Sequence, residues 1–225
     1  MYIGEYMRSP VITLTSDTLI HDAQKIMQQH NIRRLPVVDR GKLVGLITQD
    51  RLREIAPSPA TSLSIWEMYY LLAKMKVKDV MVTDVVTITP DTTVEETCVL
   101  GQKRNIGTFP VVDEKGDVVG IVTTTDLYRL ITQILGFGER GVRLHVVNGE
   151  KGVVQHQVME ILCKHQADVL AAFPVTPVGS QQRNFIIHLA TEDAGPIVED
   201  IKKLGFGVEA REHWPYSSGS QLLPP

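Results

Sequence analysis

The chain has 225 residues, 43% of them hydrophobic and 22% charged, with a formal net charge of -3. That length suffices for one large domain or for two to three small ones, and the charge lacks the basic excess that binding a phosphate backbone requires, which argues against a nucleic-acid partner. No run approaches the ~18 to 20 apolar residues of a membrane span and the amino terminus lacks a basic start followed by an apolar core, so a cytoplasmic protein with no membrane partner is expected.

The first element is a short apolar strand, Val11 to Leu14, followed by a turn at Ser16-Asp17 and a helix on which Ile20, Ala23, Ile26 and Met27 fall at helical spacing. Two strands, LPVVD and KLVGLIT, joined through Arg40-Gly41, then lead into a second short helix. The stretch SIWEMYYLLAKM, with Ser64 as a cap and Ile65, Met68, Tyr69 and Leu72 on one face, predicts a linker helix that docks on the repeats flanking it and closes them together, the alternative being a ligand-responsive or dimerising helix.

The pattern then starts again. Residues 81–113 align with residues 7–39 without a gap, at 13 identities in 33 positions, and one extra residue in the following turn brings Gly116 over Gly41 and Gly120 over Gly45. The second copy repeats the strand at Val85 to Ile88, the helix, the FPVVD and DVVGIVT strands and the closing helix. A repeat of this length means two small subdomains, each too small to bury enough alone, that fold as a pair.

Met-x-x-x-Val-x-Thr, a helix, (Leu/Phe)-Pro-Val-Val-Asp and, in the second copy, Gly-Ile-Val-Thr-x-x-Asp resemble the CBS motif, present twice as a Bateman module over about residues 1 to 135. The resemblance implies an adenine ligand, AMP, ADP, ATP or S-adenosylmethionine, bound in clefts between the paired motifs, with Mg²⁺ left open. It assigns backbone contacts with the adenine to Val85, Val86 and Thr87, side walls to Phe109 and Pro110, a phosphate-side hydroxyl to Thr123 and the ribose carboxylate to Asp126. The chemistry agrees, because one ionised carboxylate can accept from both neighbouring hydroxyls of a ribose, and the amides at a helix start favour an anion.

Copy one departs where Asp126 is replaced by Arg51, a side chain with five donors and no acceptor. With Arg34 and Thr48 it is a candidate contact for phosphate or for a second ligand, or it is a solvated residue of a vacated pocket. One nucleotide per module, in copy two, is the expectation.

GFGERG, residues 136–141, matches a phosphate loop in form only, since it leaves a helix and opens a strand; it is expected to be a linker. From Val142 the pattern reads strand (Val142 to Val147), helix, strand (Asp168 to Phe173), strand (Asn184 to Ala190), helix, strand (Phe206 to Ala210), a βαββαβ order of the ferredoxin-like kind. That order, its ~70 residues and the loop NGEKG resemble the ACT domain, which implies a ligand loop at Asn148, Gly149 and Gly152; Lys151 breaks the usual loop pattern, leaving sheet pairing between subunits as its main job. The combination resembles the AcuB-type acetoin-utilization accessory proteins.

The fold class is therefore α/β (α+β): CBS motif 1 over 1–56, linker helix 57–76, CBS motif 2 over 77–135, linker 136–141, ACT-like domain 142–213 and tail 214–225. Seven scattered histidines form no ligand spacing, Cys98 and Cys163 are expected as buried reduced thiols, and no nucleophile or metal motif is present, so neither catalytic residues nor a metal site are assigned. The expected function is a non-enzymatic sensor, a homodimer through the CBS pair or the ACT-like domain, acting on itself or on an unidentified metabolic protein. The alternative is a scaffold whose domains serve assembly without a nucleotide.

Overall fold

A computed structural model describes residues 1–55, 74–147, 153–180 and 182–212. The chain divides into two compact units, Met1–Tyr128 and Arg129–Pro225. The linker helix expected around Ser64 to Leu72 and the loop holding Asn148, Gly149 and Gly152 lie outside the described residues.

In the first unit the duplication is reproduced element by element. Copy one contains α1 (Ile20–Gln29), β1 (Arg34–Asp39), β2 (Lys42–Thr48) and α2 (Gln49–Glu54); copy two contains α3 (Val94–Arg104), β3 (Thr108–Val112), β4 (Val118–Thr123) and α4 (Thr124–Ile134), which continues past Tyr128 into the residues of the second unit. Both hairpins are antiparallel and carry the same bulge, between Val37 and Val38 in one and between Val111 and Val112 in the other. The helices form where the apolar spacing and caps require. Ile20, Ala23 and Met27 bury one face of α1, and Thr93 with Glu96 makes a capping box at the start of α3. Past the ends of α1 and α3 stand Asn31 and Asn105, each left-handed (φ 50° and 53°), the conformation that asparagine tolerates better than other side chains.

The strands expected at Val11 to Leu14 and Val85 to Ile88 shrink to one parallel bridge each, Leu14 with Val37 and Ile88 with Val111. Both segments leave the ladder because they cross from one copy to the other. Arg8 pairs with Ile121 of copy two, and its counterpart Val82 pairs with Leu46 of copy one. Upstream, Ile3 and Gly4 donate their amides to Thr92 and Pro90, while Val77 and Lys78 donate theirs to Thr18 and Ser16.

Each copy thus completes its core with a short turn that the sequence attaches to the other. Val77 and Val80 lie in the same cluster as Leu14, Ile20, Leu35, Val37 and Ile47, and Ile3 is fully buried. Gly45 and Gly120 permit the close approach, since a Cβ on either would overlap the side chain of Met81 or Met7. Lys76 and Lys78 both donate to Asp17 at 2.8 Å, and these hydrogen bonds and charges hold its carboxyl at about 2. The motif boundaries expected near 56 and 77 therefore mark sequence repeats, while the packed subdomains exchange their first eight or so residues.

The second unit has β5 (Val142–Val147), α5 (Val153–Lys164), β6 (Val169–Val175), β7 (Asn184–Leu189), α6 (Gly195–Lys203) and β8 (Gly207–Glu212). The strands form one sheet in the order β6-β7-β5-β8, with every neighbouring pair antiparallel. Alternate residues Val142, Leu144 and Val146 of β5 and Phe185, Ile187 and Leu189 of β7 pack with Val154, Val158 and Leu162 of α5 and Ile197 and Ile201 of α6. Asp193 accepts from the Gly195 amide at 2.8 Å and starts α6, as its position before Pro196 predicts. Leu135 and Gly136, ahead of this sheet, pack on it: Arg143 donates to the Leu135 carbonyl at 2.6 Å, and a Cβ on Gly136 would meet His188.

Candidate functional site

Asp126 stands one turn into α4, and Thr123, the residue before the helix, faces it. The Thr123 amide and hydroxyl donate to Oδ2 of Asp126 at 3.0 and 2.5 Å, and the Asp126 amide is 3.4 Å from the Thr123 hydroxyl oxygen. This is a capping box, so the spacing Thr-x-x-Asp serves the helix start as well as any ligand. The other carboxylate oxygen, Oδ1, accepts from Nε and Nη2 of Arg8 at 2.9 and 2.6 Å.

The Asp126 side chain is only 9% exposed, while that of Arg8 is 53% exposed. Burial pushes the Asp126 carboxyl up, but the Thr123 hydroxyl, the Arg8 guanidinium and the Thr123 amide outweigh it and hold the group below its ordinary value. The site therefore presents a carboxylate, ionised and pre-oriented. No local pattern announces Arg8, because it lies 118 residues away and its counterpart in copy two is Val82.

In copy one, Thr48 takes the place of Thr123 and caps α2 by accepting from the Arg51 amide at 3.2 Å. The Arg51 side chain turns along its own helix and pairs with Glu54 at 2.8 Å. Half of the cap survives, then, without the acid that closes it. Arg34 points elsewhere: its Nη2 lies 4.0 Å from where a Cβ on Gly107 would stand, next to Thr124 at the start of α4, and among the described residues it has no ion pair. An arginine of copy one thus stands at the helix start of copy two. Thr108, directly opposite Thr123 in the hairpin, is buried with its hydroxyl unpartnered among the described residues.

Val85 and Thr87 line a cleft of about 290 Å³ with Lys42 to Gly45 of β2, Thr83, Val112 and Gly116. Val86 does not line it, as alternation along an extended segment requires. Thr123, Asp126 and Pro110 are not part of this cleft either. The expectation for Phe109 needs correction: its ring is fully buried, with Val111 on the core side of β3, and offers no surface to a ligand in this conformation. The neighbouring Pro110 is on the opposite side of the strand and is also buried.

The thiols also differ from expectation. Cys163 is exposed and Cys98 is only partly covered, with burial and the nearby Glu95 raising the Cys98 thiol above its usual value. Among the described residues no three His, Cys, Asp or Glu side chains gather to hold a metal ion, and no helix is long and apolar enough to cross a membrane.

A model of the CBS domain matches residues 3–58 and 77–133. The chain is 36% identical over 131 residues to L-aspartate semialdehyde sulfurtransferase of Methanocaldococcus jannaschii, a match that covers 57% of this chain but only 23% of that enzyme. It is 34% identical over 134 residues to a CBS domain-containing protein of Dictyostelium discoideum, covering 59% of this chain and 92% of that protein. Among solved structures, a Vibrio cholerae protein assigned to acetoin utilization, AcuB, superimposes with a TM-score of 0.50 at 28% identity, covering 60% of this chain and 93% of that one.

Proposed function

The chain belongs to the CBS domain family, and from that premise we propose that it is a regulatory sensor which binds one adenine nucleotide per CBS pair, through copy two. The observation that carries this is the asymmetry at the two helix starts. Asp126 is a sheltered, ionised carboxylate suited to a vicinal diol, whereas Arg51 in the matching position has no acceptor and is turned onto Glu54.

In this arrangement Asp126 takes the ribose, Thr123 and the start of α4 face the phosphates, and Arg34 reaches the same helix start from copy one. Val85 and Thr87, which line the cleft, border the adenine with the backbone of the segment that carries them. Thr48 and Arg51 belong to a copy-one site without a diol partner. AMP, ADP, ATP and S-adenosylmethionine share the diol and the adenine and are the ligand class.

The domain plan is a CBS pair over 1–56 and 77–135, joined through 57–76, then 136–141, an ACT-like domain of ferredoxin-like topology over 142–213 and a tail. The strand order β6-β7-β5-β8 supports that assignment of the second half, with Asn148, Gly149 and Gly152 as its ligand loop. The protein is a cytoplasmic homodimer whose nucleotide-dependent state is read by a metabolic protein partner, and the likeness to the AcuB structure supports acetoin utilization as the setting.

A second reading has its own observation. Every acceptor position of the Asp126 carboxylate is already engaged by the chain, as in a purely structural ion pair, which favours a scaffold whose CBS pair serves assembly. Thermal shift with AMP, ADP, ATP and S-adenosylmethionine decides between them. A saturable rise in Tm with one ligand, abolished in Asp126→Ala, is expected for the sensor; no rise with any of the four leaves the scaffold.

A further inference from the structure

The Asp126 carboxylate accepts two hydrogen bonds from Arg8 on Oδ1 and two from Thr123 on Oδ2. A carboxylate has about four lone-pair positions, so a ribose diol finds none open while these four donors stay. The donors are not equally replaceable. Thr123 belongs to the cap of α4, and moving it means opening the helix start. Arg8 reaches across from the exchanged amino-terminal segment with half of its side chain in solvent.

Its backbone is anchored apart from that side chain, by hydrogen bonds with Ile121 at 3.0 and 3.1 Å, next to Met7 lying over Gly120. The guanidinium can therefore leave Asp126 while the segment stays in place.

We propose that Arg8 is a gate on the diol carboxylate: Arg8 and the vicinal hydroxyls of a ribose compete for Oδ1 of Asp126, so that a ligand binds only as Arg8 is released. The inference rests on the adenine-nucleotide reading above. It makes Arg8 a positioning residue that sets affinity without being required for binding. It also ties ligand occupancy to a side chain by which the amino-terminal segment holds the helix start of copy two.

Adenosine and 2′-deoxyadenosine separate the diol from the phosphate and serve as probes, together with AMP. Titration calorimetry is run on the full chain, on Arg8→Ala and Arg8→Lys, and on Asp126→Ala, with circular dichroism to confirm that each variant is folded. The gate requires Arg8→Ala to bind adenosine and AMP tighter by about tenfold, the scale of one charge-assisted hydrogen-bonding partner removed. Arg8→Lys, with a single ammonium in place of the fork, should fall between the two, and 2′-deoxyadenosine should gain much less than adenosine. Added salt should strengthen adenosine binding to the unmodified chain and leave Arg8→Ala unmoved. Equal affinities for adenosine in both proteins overturn the gate. So does weaker AMP binding in Arg8→Ala with adenosine unchanged, the signature of a phosphate contact. If no probe binds either protein, the nucleotide reading itself fails, and the gate with it.

Discussion

Lys42 and Asp117 occupy the same position in the two copies of the repeat and are bonded to each other, Nζ to Oδ1, at 2.8 Å. Lys42 also donates to the Lys115 carbonyl, and the two residues form an isolated bridge, so equivalent points of the hairpins meet across a local two-fold relation. Residues at such a position contact their own counterparts. An unchanged duplication would set like against like there, and the divergence to Lys and Asp turns a repulsion into a pair.

Charge reversal at this point is expected to be non-additive. Lys42→Asp and Asp117→Lys should each destabilise the chain, and the double exchange should recover most of the loss. Both side chains are about half exposed, so the coupling in a double-mutant cycle should be small, ~0.2 to 1 kcal/mol, measured by urea denaturation.

The exchange of amino-terminal segments makes Ile3 a core residue of copy two. Ile3→Ala should cost ~2 to 5 kcal/mol, the range for emptying a fully buried aliphatic site, although the residue is third in the chain. Chemical denaturation checks this. A cost below about 0.5 kcal/mol, the size expected of a frayed terminus or surface position, would mean that the turn does not dock in solution.

Asp126 has a folded carboxyl held below its ordinary value, by Thr123 and Arg8 against the opposing effect of burial. Between the folded and unfolded values the unfolded chain binds the proton and the folded chain does not. The stability this group contributes is therefore complete above about pH 4, the ordinary carboxylate value, and is lost as pH falls through the depressed folded value. Asp126→Asn should flatten the acid limb of a Tm-versus-pH curve in that window relative to the unmodified chain. Identical limbs would show that the carboxyl titrates alike in both states.

Arg51→Asp supplies copy one with the acid that closes the Thr48 cap, at the expense of the exposed pair with Glu54. Caps contribute ~1 kcal/mol and exposed i,i+3 pairs a few tenths, so a modest net gain in stability is expected. With the acid in place, calorimetry should also reveal a second adenosine site. A gain in stability without a second site would assign the carboxylate in this position to the helix cap alone.

The features legible in the chain were those that depend on near neighbours. Apolar runs separated by turn residues marked β1 to β4, helical spacing marked α1, and Asp193, Pro196 and Gly205 bracketed α6. Val11 to Leu14 misled because β-branched and apolar residues suit a ladder and equally suit a chain crossing between two packed halves. Phe109 shares the core face of β3 with Val111, because alternate residues of a strand lie on one side, and its two-residue spacing from Val111 alone does not say which side that is.

By itself, then, the sequence determined a twofold repeat, its strands, helices and caps, and the difference between Arg51 and Asp126, because period, turn chemistry and residue type act over a few positions. Only the tertiary structure decided which copy receives each amino-terminal turn and that Arg8, 118 residues distant, holds Asp126. Those choices come from packing and hydrogen bonding between remote segments, where Met7 can lie over Gly120 and a guanidinium can reach a sheltered carboxylate. No spacing along the chain encodes such a distance.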